Sequence, residues 1–176
     1  RRDPDDSNSY EIVAGERRWR AAQIAQLHEI PVVVKELTDA GALEIALIEN
    51  IQRQDLNPLE EGEGYKRLID EFGHTQDALS RVVGKSRSHI ANNLRLLNLP
   101  ASIKTMLIGG ELSAGHARAL LNLENPDKLA RRIIRQSLNV RQTERLVQQA
   151  KTASRVTKAG ATKDPDTMAL EKDLSD

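Results

Sequence analysis

The chain has 176 residues, enough for one compact domain or two small ones. Its 26 Lys and Arg balance 26 Asp and Glu, so the total charge implies no partner, and the lack of cysteine excludes disulfides, thiolate metal sites and cysteine nucleophiles. One Trp, one Phe and two Tyr leave an aliphatic core and little to stack bases, which disfavours a single-strand nucleic-acid binder.

Residues 1–9 are a polar, turn-rich lead-in, and residues 10–14 alternate as a short strand. Gly15 follows, and residues 16–28 read as a helix with Trp19, Ala22, Ile24 and Leu27 on its buried side. A helix start offers free amides, a glycine allows close approach, and Arg17, Arg18 and Arg20 add cations. Three cations there oppose the helix dipole, which favours an anionic ligand such as a phosphate. The pattern is no Walker A loop, however, and an ordinary surface helix would also fit it.

Residues 31–35 are a second strand, apolar enough to be buried on both faces, so a small α/β sheet is expected. Residues 40–52 form a helix with Leu43, Ala46, Leu47 and Ile51 inward, ending in Glu49, Asn50, Gln52 and Arg53. A carboxylate and an amide oxygen can hold magnesium while an arginine meets the phosphates it neutralises, although most helix ends carry such residues. Asn57, Pro58 and Glu60 then form a capping box, opening a helix that runs to Phe72 and is closed by Gly73. Gly62 and Gly64 inside it each cost about 1 kcal/mol relative to alanine, which points to close helix contact or a hinge. Residues 44–71 hold eight acids against three cations, a balance that disfavours DNA contact. The chain is therefore divided near residue 57.

Residues 74–100, HTQDALSRVVGKSRSHIANNLRLLNLP, read as a helix-turn-helix. Thr75 caps a first helix with Ala78, Leu79, Val82 and Val83 on one face, Gly84 stops it, and Ser86 caps a second. The second helix has Ile90, Leu94 and Leu97 as its core stripe, so Ser88, Asn92 and Arg95 lie opposite, with Arg87 in the first turn. Such side chains suit a DNA major groove, and residues 74–118 hold six cations against two anions. A plain helical hairpin with a solvated face is the blander alternative.

Residues 101–108 form a short helix ended by Gly109 and Gly110, and Ser113 caps another whose first turn holds Gly115 and His116. There a phosphate or groove wall could approach, or the turn could simply pack. Asn125 and Pro126 start a further helix with Leu129, Ile133 and Ile134 inside, and residues 140–150 form a last one. Residues 127–158 hold nine cations against two anions, making a second candidate DNA surface. Residues 151–176 read as a linker or frayed tail. His28, His74, His89 and His116 have no zinc-ligand spacing, and no apolar run approaches the roughly 20 residues of a membrane span. The chain starts Arg-Arg-Asp-Pro rather than Met and reads as an internal fragment.

Three stretches, GERRWRAA at 15–22, ENIQRQDLNPLEE at 49–61 and the helix-turn-helix at 74–100, together resemble the chromosome- and plasmid-partitioning ParB family. The resemblance implies an α+β architecture: a small sulfiredoxin-like α/β nucleotide-binding domain over 1–56, an all-helical DNA-binding domain over 57–150, and a linker over 151–176. It implies that Gly15, Glu16, Arg17, Arg18, Glu49, Asn50 and Arg53 bind CTP, with Mg2+ on Glu49 and Asn50 and slow hydrolysis aided by Glu16 and Glu49. Sulfiredoxin chemistry itself uses a cysteine nucleophile, which this chain lacks.

For DNA it implies a double-stranded palindromic site read by Arg87 and Asn93 with Asn98 and Gly115 nearby; Lys85, Ser86, Ser88, Asn92, Arg95 and His116 complete the expected surface. Arg87 is reached by both routes, whereas Asn93 disagrees with the helical wheel. Arg87 with Gly115 resembles the centromere-binding branch more than its nucleoid-occlusion relatives. The cytosine-contacting segment is expected before residue 1 and a leucine-rich dimerisation domain near or beyond residue 165. Expected partners are a second protomer through the nucleotide domains and a ParA-type ATPase. The implied protein is a CTP-gated sliding DNA clamp, cytoplasmic and nucleoid-associated. A site-specific helix-turn-helix transcriptional regulator or nucleoid-occlusion relative without a nucleotide switch is the alternative.

Overall fold

The computed structural model describes residues 1–160 apart from 5, 7, 54, 122 and 124. The chain forms two compact units, Arg1–Leu97 and the residues from Asn98 onward.

The first unit contains α1 (Glu16–Ile24), α2 (Asp39–Ile51), α3 (Pro58–Asp70), α4 (Gln76–Val83) and α5 (Arg87–Leu96). Thr38 starts α2 by accepting from the Gly41 N–H at 3.2 Å. Asn57 starts α3 through the expected capping box: its Oδ1 accepts from the Leu59 and Glu60 amides while Glu60 accepts from the Asn57 N–H at 2.8 Å. Leu47, Ile51, Tyr65, Leu68, Leu79, Val83 and Ile90 make one core contributed by α2 to α5. Each such side chain contributes about 1.5–3 kcal/mol when fully buried.

The two glycines of α3 are explained by close helix contact. A Cβ on Gly62 would fall 2.8 Å from the Asn93 carbonyl oxygen of α5, and one on Gly64 would fall 2.7 Å from Ile51 Cγ1 of α2. Being two residues apart, about 200° around the helix, they leave α3 bare on opposite flanks. Gly73 ends α3 in the left-handed region at φ 71°, with the His74 N–H returning to Leu68 O at 3.2 Å.

Several expectations are corrected here. The sheet expected from residues 10–14 and 31–35 does not form among the described residues, whose one β-type pairing is an isolated bridge between Arg2 and Tyr10. Apolar composition cannot make a strand without a neighbour to exchange hydrogen bonds with, and no described segment pairs with 31–35, where Val33 is 84% exposed. In α1 only Ala22 is buried, whereas Trp19, Ile24 and Leu27 are exposed. Ala42, rather than Leu43, turns inward from α2. Periodicity identified these helices, but a helix with little packed against it has no strongly buried face.

The second unit contains α6 (Ala101–Ile108), α7 (Ala114–Leu120), α8 (Pro126–Arg135) and α9 (Val140–Gly160). Ser113 and His116 form a reciprocal cap at the start of α7: Ser113 Oγ accepts from the His116 N–H, and His116 Nδ1 accepts from the Ser113 N–H, both at 3.3 Å. Ile103, Leu107, Leu112, Leu120, Ala130, Ile133 and Val147 are buried. α8 closes through Ser137 at φ 46°, with the Leu138 N–H bonded to Ile133 O at 3.1 Å. α9 continues to Gly160, past residue 151 where a linker is expected, and residues 161–176 of that linker lie outside the described residues.

Candidate nucleic-acid and nucleotide interfaces

The helix-turn-helix is built as its sequence requires. Thr75 Oγ1 accepts from the Ala78 N–H at 3.1 Å and starts α4. Gly84 ends that helix at φ 71°, a left-handed conformation that glycine adopts without a Cβ penalty, and Ser86 Oγ accepts from the His89 N–H at 3.1 Å to start α5. Leu79 and Val83 of α4 and Ile90 and Leu96 of α5 are buried. The opposite side of α5 is therefore free.

On that side Arg87, Ser88 and Arg95 are exposed, with Lys85 and Ser86 exposed in the turn and Asn92 half-buried. Lys85, Arg87 and Arg95 make no ion pair among the described residues, whereas Arg67 and Arg81 are tied to acids one turn away. Unpaired cations on an outward face are available to phosphates and base edges. Asn93 is not on this face. It is 5% exposed, and its Nδ2 donates to Glu61 Oε2 of α3 at 2.6 Å, so the structure corrects its placement as an outward base-reading residue and supports the helical wheel there.

Glu61 was missed from the sequence. Its Oε2 also accepts from His89 Nε2 at 2.7 Å. An ionised carboxylate only accepts, so His89 must carry its proton on Nε2, and the 3.2 Å approach of that atom to Asn93 Nδ2 is then a contact between two donors. The His89 and Asn93 spacing was visible, but nothing in one of eight nearby acids marked the partner.

Asn98, Gly115 and His116 belong to the second unit. Asn98 is exposed. A Cβ on Gly115 would fall 2.8 Å from Val140 Cγ2 of α9, so this glycine permits helix packing. His116 is half-buried by its cap, and its Nε2 has no hydrogen-bond partner among the described residues. Lys128, Arg131, Arg132 and Arg135 on α8, with Arg141 and Arg145 on α9, are exposed or half-buried and make no ion pair among the described residues. Pro126, Ala130 and Ile133 form the inner side of α8.

The two candidate nucleotide motifs meet in the first unit. Gly15 caps α1 at φ 89°, and its N–H donates to Glu49 Oε1 at the far end of α2, 3.3 Å away across 34 residues of sequence. Arg18 folds back so that its Nη2 lies 3.1 Å from where a Gly15 Cβ would be. Arg17, Asn50 and Arg53 are exposed, and Glu16 pairs with Arg20 one turn on. The site thus combines a left-handed glycine, free helix amides and unpaired cations, the requirements of a polyphosphate cradle. Among the described residues no group of three or more His, Cys, Asp or Glu could hold a metal ion. Glu49 and Asn50 alone fit magnesium only in the company of phosphate oxygens, its usual manner of binding in nucleotide sites. No helix among the described residues is long and apolar enough to cross a membrane.

The two cappable helices, the left-handed glycine between them and the cationic outer face of α5 define a helix-turn-helix protein of the kind that docks on duplex DNA. Models of the ParB N-terminal domain and the ParB HTH domain match residues 2–51 and 54–152, and the chain belongs to the ParB family. Over 176 residues it is 51% identical to the chromosome-partitioning protein ParB of Caulobacter vibrioides strain NA1000 / CB15N, covering 98% of this chain and 58% of that protein. The ParB of Myxococcus xanthus strain DK1622 is 51% identical over 174 residues, covering 96% of this chain and 59% of that protein. The C-terminally truncated ParB of Caulobacter crescentus, solved as a complex with the centromeric parS site, matches with a TM-score of 0.82 at 51% identity over 84% of this chain and 79% of that one. The chain therefore spans a little under three fifths of the curated relatives' length.

Proposed function

We propose that this chain is the DNA-loading and nucleotide-binding portion of a chromosome-partition protein, which docks on a palindromic parS-like duplex and uses CTP to close as a sliding clamp. The observation that carries the DNA half is the likeness, at a TM-score of 0.82, to a relative solved on its parS site. In this reading Arg87 enters the major groove from the first turn of α5, Ser88 and Arg95 flank it, and Lys85 and Ser86 meet the phosphates. Asn92 completes the set within the first unit; in the second unit Asn98, Gly115 and His116, with the cations of α8 and α9, form a separate DNA-contacting set.

The CTP half rests on the resemblance of residues 15–22 and 49–61 to the family's nucleotide motifs and on the Gly15 and Glu49 meeting point. The first turn of α1 receives phosphates, joined by the Gly15 amide once Glu49 leaves it, and Arg17, Arg18 and Arg53 balance their charge. Glu49 and Asn50 would hold magnesium, which supplies further charge neutralisation when bound. Glu16 positions water, with Glu49 beside it, and hydrolysis is slow because the stretch offers electrostatic positioning rather than a dedicated base. Self-association through the nucleotide domains, a ParA-type ATPase partner and a place on the nucleoid complete the proposal.

One observation favours a second reading. Glu49 already occupies the Gly15 amide that a phosphate would use, as it would if the first motif were only scaffold for a site-specific regulator. Nucleotide binding to the full-length protein, with and without a parS duplex, separates the two. The clamp reading expects CTP to bind better than ATP or UTP and the duplex to enhance it. Equal binding of all three, or Arg18→Ala and Asn50→Ala variants that spread on DNA like the wild type, would leave the regulator.

A further inference from the structure

We infer that Glu61 of α3 is a positioning residue for DNA specificity, setting the roll of the recognition helix α5 by gripping His89 and Asn93 from behind. This rests on the assignment of α5 as the DNA reader. His89 and Asn93 are four residues apart, so one carboxylate oxygen ties two successive turns of α5, at 2.7 Å and 2.6 Å. On a helical wheel, Asn93 lies at the middle of the buried arc that runs from Ile90 to Leu96, and Arg95 and Ser88 lie across the axis from it. The grip is therefore opposite the outward face and sets where that face points.

Two features make the grip selective. The Glu61 side chain is only 15% exposed, so a carboxylate there needs its donors: losing either leaves a poorly solvated charge. The helices are also at backbone contact beside it, where a Cβ on Gly62 would fall 2.8 Å from Asn93 O, so α5 cannot move toward α3 to compensate. Tyr65, whose ring meets that of His89 edge-on with centroids 6.4 Å apart, walls the network on one side. A purely apolar interface would hold the same spacing but would let α5 rotate among near-equivalent packings.

The test uses the full chain, a duplex bearing the parS site of the Caulobacter relative, and a scrambled duplex of equal length, read by fluorescence anisotropy alongside melting temperature. Glu61→Leu removes the acceptor and Asn93→Asp sets a second carboxylate against it; each is expected to lower the parS-to-scrambled affinity ratio about tenfold, with scrambled binding unchanged. Combining Asn93→Asp with Glu61→Gln reverses the pair, the new amide on α3 donating to the new carboxylate on α5, and is expected to recover most of the ratio lost in Asn93→Asp. His89→Leu, which removes the other donor and leaves Glu61 and Asn93 in place, is expected to lower the ratio in the same way even if Glu61→Leu melts too low to assay.

Unchanged ratios in the folded variants, parallel loss on both duplexes, or a double variant no better than Asn93→Asp alone would overturn the positioning role. An Asn93 that touches DNA itself would give that last result. A wild-type chain that does not distinguish the two duplexes would instead overturn the DNA reading on which this one rests.

Discussion

Gly62 of α3 lies against the main-chain carbonyl of Asn93 in α5, so close that a Cβ would sit 2.8 Å from the oxygen. A backbone atom cannot swing aside as a side-chain tip can. Gly62→Ala is expected to destabilise the first unit by about 1–3 kcal/mol despite the better helix propensity of alanine. Gly64→Ala meets the Ile51 side chain, which can adjust, and is expected to cost less than its neighbour. Urea midpoints of the two variants check the order.

Ser137 occupies at φ 46° the helix-closing position that Gly73 and Gly110 fill at α3 and α6, with φ 71° and 73°. A left-handed serine carries a Cβ penalty that glycine lacks. Ser137→Gly is therefore expected to stabilise the second unit by roughly 0.5–1 kcal/mol, read as a higher melting temperature with DNA affinity unchanged.

Burial, together with the negative charge of Glu61, pushes the Tyr65 hydroxyl up to about 12 from an ordinary value of 10.0. The folded chain therefore holds a proton that the unfolded chain has released between those two values. The associated stability is complete below pH 10 and falls by on the order of 2 kcal/mol as pH rises toward 12. Tyr65→Phe is expected to lose that part of the alkaline dependence. Denaturant titrations at pH 9 and pH 11 on both proteins check this.

Arg87 and Arg131 are both exposed cations without ion-pair partners among the described residues, yet different roles are expected of them. Arg87→Ala is expected to cost about 1–3 kcal/mol on the parS duplex and much less on a scrambled one. Arg131→Ala, on α8, is expected to weaken both alike and to reduce the salt dependence of binding by about one unit of slope. Affinities measured across a salt series distinguish the outcomes.

Local chemistry was legible in the sequence wherever a residue acts on its own neighbourhood. Thr75, Gly84 and Ser86 delimited α4 and α5, and Asn57 with Glu60 announced the start of α3. What depends on a distant partner was not. Val32 to Val34 have the composition of a strand, but pairing is a property of two segments. Trp19 reads as core because it is large and apolar, yet what packs on α1 is not encoded in α1. Of the candidate site, the outward positions of Ser88 and Arg95 followed from periodicity, whereas the hold of Glu61 on His89 and Asn93 joins residues 28 and 32 apart that carry no mutual signature.

The two bare flanks of α3 have a geometric meaning for the whole first unit. With glycine toward α5 and glycine toward α2, the gap between α5 and the helix that carries Glu49 and Asn50 is spanned by the α3 main chain and, on the α2 side, the Ile51 side chain. Side chains elsewhere act as compressible spacers whose size drifts with mutation. On the α5 side the ruler is the polypeptide backbone itself, and that spacing changes only with a substitution that adds a carbon to Gly62.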